Sequence, residues 1–152
     1  MGIAAAMLTV ALGSALAASD AALGKRVYRK ANCVGCHKWH GGGGGGYGGA
    51  ALSLRATPLD AEGIREVVRC GRPGTRMPYH DRDAYKGAGC YGMTKAELGH
   101  DAPSKAAIFL RAEEIDAVVA YVITNLKGKG EPTYEDCVAF WGAGERQCEA
   151  MR

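Results

Sequence analysis

Apolar positions along this chain fall at helical spacing and almost nowhere in strict alternation. The clearest stretch is 111–126, where Ile115, Val118, Val119, Val122 and Leu126 line one face before Gly128 and Gly130 end the pattern. Residues 60–70 carry a second stripe of Ile64, Val67 and Val68, opened by Asp60 as a cap and closed by Gly71. A third helix is predicted over 20–32, with Asp20 as its cap and Leu23, Val27 and Ala31 on one side. Gly24 and Tyr28 lie four residues apart in it and therefore share a face. A short helix is expected at 94–98, where Thr94 and Glu97 match a capping box. Residues 133–141 and 144–151 read as a helical hairpin around Gly142-Ala143-Gly144. Strand signals are weak throughout, so the expected class is all-α.

The interruptions organise the rest. No charged side chain occurs in the first 18 residues, and Ile3 to Leu16 is an apolar run of export-signal length, short for a bilayer span. Ala15-Leu16-Ala17 supplies the small residues of a cleavage site, although no Lys or Arg precedes the run. The reading is a signal peptide over 1–17, one domain over 18–130 and a C-terminal extension over 131–152. An uncleaved anchor is the alternative. Residues 41–49 hold eight glycines and one tyrosine, which excludes a regular element. They read as a mobile spacer, or as a low loop that lets a partner approach. Pro73 and Pro78 exclude helix between 72 and 79.

Composition narrows the function. Hydrophobic residues are 47% and charged residues 23%, ordinary for a globular domain, but aromatics are only 7%, so a buried cofactor would supply missing apolar surface. The net charge of +3 is built from interspersed acids and bases, not the basic stripe of a nucleic-acid binder. No triad, paired carboxylates or phosphate-cradling motif is evident, and the glycine tract lacks the Lys-Ser/Thr ending of a P-loop. Asp81 and Asp83 alone are too few ligands for calcium. Six cysteines read in an oxidising compartment, given the export signal. Four of them, Cys70, Cys90, Cys137 and Cys148, allow three pairings; Cys70–Cys90 and Cys137–Cys148 each close a short loop, and free thiols are the alternative.

The remaining two cysteines stand in Cys33-Val34-Gly35-Cys36-His37. Thiols three residues apart can each add to one vinyl group of a haem, and the following imidazole can then reach the iron. A thioredoxin-like pair would follow a strand and open a helix, and a zinc site would need a second ligand pair; neither context is present. A sixth ligand of thioether type raises the reduction potential. Met77, in the Pro-bounded loop, is the first candidate and Met93 the second. His40, His80 and His100 are further candidates, each more simply read as a solvated surface histidine.

On these residues the chain resembles class I c-type cytochromes over roughly 20–127. Gly24 and Tyr28 match the first helix of that family, Val118 and Tyr121 its last, and Met77-Pro78 its ligand loop. The resemblance implies three to five helices packed around one covalent haem c, with Cys33 and Cys36 in thioether linkage and His37 and Met77 on the iron. In the family the axial histidine donates its ring N–H to a carbonyl beside a proline. Here no proline occurs between Gly48 and Leu54, and Ala50 or Ala51 is expected in its place. The block from Cys70 through Met93 is similar to small periplasmic cytochromes that serve quinoprotein (PQQ) alcohol dehydrogenases.

The function implied is a monomeric, non-enzymatic, periplasmic one-electron carrier between such a dehydrogenase and an oxidase or another cytochrome. Lys38, Arg72, Arg76 and Arg82 are expected around the haem edge, and a Cys70–Cys90 bridge would tether the loop after Met77. The alternatives are a permanent cytochrome subunit of a dehydrogenase complex, with the tail as docking element, and a haem enzyme or sensor with a labile sixth ligand.

Overall fold

The computed structural model of the chain describes residues 11–46, 49 and 51–152, with backbone alone over 11–20. Its α-helical segments are α1 (Ala11–Lys30), α2 (Cys33–His37), α3 (Ala61–Cys70), α4 (Lys95–Leu98), α5 (Ala112–Tyr121), α6 (Tyr134–Trp141) and α7 (Arg146–Glu149). Among the described residues there is no strand, only isolated bridges at Tyr79–Lys105 and Cys90–Met93.

Local chemistry sets most of these boundaries. The Asp60 carboxylate accepts from the Gly63 N–H at 2.9 Å and opens α3, and Gly71, at φ +69, closes it. Thr94 and Glu97 form the reciprocal box that starts α4. Thr133 and Asp136 do the same for α6.

Two helices depart from the pattern-based expectation. α1 begins at Ala11, so Asp20, expected as its cap, falls inside it. Residues 1–10 of the expected signal lie outside the described residues. The helix expected through Leu126 changes at Val122 into a π-turn, Val122–Leu126, in which the Lys127 N–H reaches the Val122 carbonyl at 2.8 Å. The Thr124 hydroxyl lies at the change. It donates to the Ala120 carbonyl at 2.8 Å, the acceptor that the Thr124 N–H would use in a continuing α-helix, and back-bonding of this kind bends helices.

The main core joins Val27 and Tyr28 of α1, Ile64 of α3, Ile115, Val118, Val119 and Tyr121 of α5, and Phe140 of α6. α1 and α5 touch most closely at Gly24: a Cβ there would lie 2.2 Å from the Ala117 carbonyl oxygen and 2.6 Å from the Tyr121 Cβ. The Tyr28 ring stands 5.5 Å from Tyr121 and 6.3 Å from Phe140. An ion pair of 2.7 Å between Lys30 and the buried Glu114 ties the same two helices. The tail, stapled by Cys137–Cys148, thus joins the main core through Phe140, and the Lys25 ammonium adds a 2.9 Å bond to the Ala139 carbonyl.

A second cluster forms around the Cys70–Cys90 disulfide, with Ala84 buried beside it and Tyr79, Tyr85 and Tyr91 packed around. No helix among the described residues is long and apolar enough to cross a membrane.

Candidate functional site

α2 is a single helical turn isolated by left-handed residues on both sides, Asn32 at φ +60 and Lys38 at φ +62. A spacing of three places the Cys33 and Cys36 thiols on the same side of that turn. Both are unpaired; Cys33 is half-buried, which pushes its thiol up to about 12, and Cys36 is exposed. The turn is pinned from α1, where the buried Tyr28 hydroxyl donates to the Lys38 carbonyl at 2.9 Å.

His37 Nδ1 lies 2.9 Å from the Leu52 carbonyl oxygen. That oxygen can only accept, so Nδ1 carries the proton and Nε2 presents its lone pair. Burial lowers the His37 pKa, partly opposed by the Leu52 bond, and so favours the neutral ring that a metal requires. The acceptor carbonyl, which the sequence leaves unnamed, is therefore that of Leu52.

The glycine tract explains how that carbonyl is held. The Gly43 and Gly45 N–H groups donate to the carbonyls of His37 and Cys36 at 3.2 and 2.9 Å. On the other side, Gly44 N–H donates to Ala51 O at 2.8 Å, and Leu54 N–H to Gly41 O at 2.7 Å. Residues 41–46 are thus a thin layer pressed between the CxxCH turn and segment 51–55. A Cβ on Gly43, at φ +74, would lie 2.4 Å from the Ala51 oxygen, and one on Gly45 would lie 2.5 Å from that of Cys36. Where composition suggests a mobile spacer, close backbone approach requires glycine. Tyr47, Gly48 and Ala50 lie outside the described residues.

Met77 sits half-buried in a tightly tied loop. Its carbonyl accepts from Arg72 N–H at 3.1 Å, and its N–H donates to Thr75 Oγ1 at 3.1 Å. Immediately after it the chain becomes an extended strut. Tyr79 N–H bonds Ser104 O at 3.0 Å, His80 N–H bonds Val68 O at 3.1 Å, and His80 O accepts from Leu110 N–H at 2.8 Å. The Tyr85 and Tyr91 hydroxyls fasten the disulfide segment to the Cys70 and Gly71 carbonyls at 2.8 and 2.5 Å.

His80 is a correction to the surface reading. It is only 4% exposed and its Nδ1 lies 3.1 Å from the Ile108 carbonyl, because the strut is packed between α3 and the approach to α5. His40 Nδ1 accepts from Gly42 N–H at 3.1 Å, His100 is exposed beside Asp101, and Met93 is 37% exposed. Asp81 is engaged by Arg69 at 3.0 Å and Asp83 by Lys86 at 2.7 Å, which leaves neither as a free calcium ligand. Lys38, Arg72, Arg76 and Arg82 are all exposed, and the Arg82 guanidinium lies 5.5 Å from the Phe109 ring centre.

Two residues that matter here, Leu52 and Arg55, escaped sequence reasoning. Leu52 contributes a backbone carbonyl, which every residue has. The Arg55 side chain is 9% exposed, yet its partners are spread from His40 to Asp136. The donor set suits a covalently attached haem: two unpaired thiols on one turn, followed by an imidazole whose free nitrogen is selected by a backbone bond.

The sequence matches no curated protein and no solved structure. The family model described as cytochrome c matches residues 21–125.

Proposed function

The chain belongs to the cytochrome c family, and from that premise we propose its ligand set and its place in electron flow. It is an all-α, haem c electron carrier. Cys33 and Cys36 hold the porphyrin by thioethers, and His37 and Met77 ligate the iron. The haem supplies a one-electron couple at its iron.

The residues around it set how that couple behaves. Leu52 orients the His37 ring and makes it more electron-rich by accepting its N–H. The Arg72–Met77 turn and the Tyr79–His80 strut fix the backbone on both sides of Met77, so the thioether need not be ordered anew when charge changes. Exposed Lys38, Arg72, Arg76 and Arg82 would steer an acidic partner.

The working partner is a periplasmic quinoprotein dehydrogenase as donor, with an oxidase or another cytochrome as acceptor. The apolar, charge-free leader supports the location, and the block from Cys70 to Met93 supports the donor. The observation that carries the reading is the pairing of the two unpaired thiols with the His37–Leu52 bond.

Denatured holoprotein is expected to keep its pigment through acidified organic extraction and to give a c-type pyridine haemochrome. Released pigment would overturn the attachment. Met77→Ala is expected to abolish the thioether charge-transfer band of the ferric protein and to let ferrous protein bind carbon monoxide promptly. Prompt binding by the unsubstituted protein would instead favour a sensor or enzyme.

A further inference from the structure

We propose that Arg55 is a positioning residue for His37, through which the chain beyond the family match tightens the hydrogen bond that His37 donates. The inference rests on His37 being the axial ligand.

Arg55 stands three residues after Leu52 and is the point where four segments meet. Its Nη1 donates to the His40 carbonyl at 2.9 Å, just past the CxxCH turn. Its Nε donates to the Lys129 and Gly130 carbonyls at 3.1 and 2.6 Å. Its Nη2 lies 3.8 Å from the Asp136 carboxylate on α6. Its backbone takes part as well: the N–H bonds Gly41 O at 3.3 Å, and the carbonyl accepts from Gly128 N–H at 2.9 Å. A guanidinium can serve such widely separated acceptors because its donors form a rigid planar fork; a lysine ammonium on a flexible stem cannot span them. The fork holds segment 51–55 against the turn that bears His37, and so holds the Leu52 carbonyl at Nδ1. Two of its three anchors, 129–130 and Asp136, belong to chain outside the 21–125 match.

The consequence for the iron has a definite sign. An N–H donated to a carbonyl enriches the imidazole and favours ferric iron, so a looser bond raises the reduction potential. The positive charge of Arg55 acts oppositely: it favours ferrous iron, and removing it lowers the potential. Arg55→Lys keeps the charge and breaks the fork, which separates the two effects.

In folded Arg55→Lys holoprotein, exchange of the His37 Nδ1 proton with deuterated solvent, followed by NMR, is expected to be about tenfold faster. Its potential is expected to be higher than that of the unsubstituted protein. Asp136→Asn keeps the capping acceptor of α6 and removes only the charge; a smaller acceleration of the same proton exchange is expected, and exchange is the readout for this variant because loss of a negative charge raises the potential by itself. An altered unfolding midpoint with unchanged exchange and unchanged potential would mean that Arg55 is merely structural, and would overturn the proposal. Should Arg55→Lys yield no folded holoprotein, Asp136→Asn decides, and unchanged exchange there overturns it. Failure of the ligand assignment is a separate result, visible in the unsubstituted ferric protein as an Nδ1 proton without paramagnetic shift.

Discussion

Single residues show how a buried polar group is kept without penalty. Glu114 is only 6% exposed, yet it accepts from the Arg111 N–H at 3.0 Å and from Lys30 at 2.7 Å. Those bonds, the backbone one first, hold its carboxyl down at about 2. A depressed folded value means stability that is present above the unfolded value of 4.5 and is lost as pH falls through about 2. Glu114→Gln keeps an acceptor for the Arg111 N–H but removes the charge, and is therefore expected to cost about 1–2 kcal/mol near neutral pH, as replacing charge-assisted hydrogen bonds by neutral ones does. Denaturant unfolding at a series of pH values should show that gap closing in acid. A gap independent of pH would mean that the charge contributes nothing. His80 teaches the converse: a histidine flanked by polar neighbours in sequence is buried, because the strut around it is buried.

At the scale of elements, the contact between α1 and α5 is decided by the absence of one side chain. The carbonyl of Ala117 occupies the volume that any Cβ at position 24 would need. Gly24→Ala is expected to force the helices apart and to cost about 1–3 kcal/mol, the usual range for overpacking. Thermal unfolding of the holoprotein measures this, and an unchanged midpoint would show that the helices can shift without loss. The π-turn after α5 belongs to the same scale. It ends on Leu126, whose Cδ1 lies 3.0 Å from where a Cβ on Gly41 would be. The last long helix thereby packs on the first residue of the glycine layer beneath His37.

For the molecule as a whole, the question is whether the 131–152 tail is a separate unit or part of one core. Phe140 packs on Tyr28, with ring centres 6.3 Å apart, and on Trp39 at 6.1 Å, two residues beyond His37. Arg29 lies 5.0 Å from the centre of Trp141, adding a cation–π contact between α1 and α6. Phe140→Ala is expected to cost about 3–4 kcal/mol and to lower a single unfolding transition followed by helix signal and haem absorbance together. Two separated transitions would show that the tail melts alone. One core across the matched and unmatched parts is what brings Lys129, Gly130 and Asp136 within reach of Arg55.

The sequence by itself determined whatever depends on neighbours along the chain. It carried the CxxCH turn, the Asp60 and Thr94 caps, the stripes of α3 and α5, the Gly24–Tyr28 pair and the all-α class, because helical periodicity and capping are local. Tertiary structure alone decided the acceptor of His37, the burial of His80, the packed state of residues 41–46 and the convergence on Arg55. A backbone carbonyl carries no side-chain signature, and a glycine needed for close approach reads the same as one in a free loop. Which of them meets the imidazole depends on contacts between segments far apart in the chain, and those exist only once α1, α5 and the tail have closed around the turn.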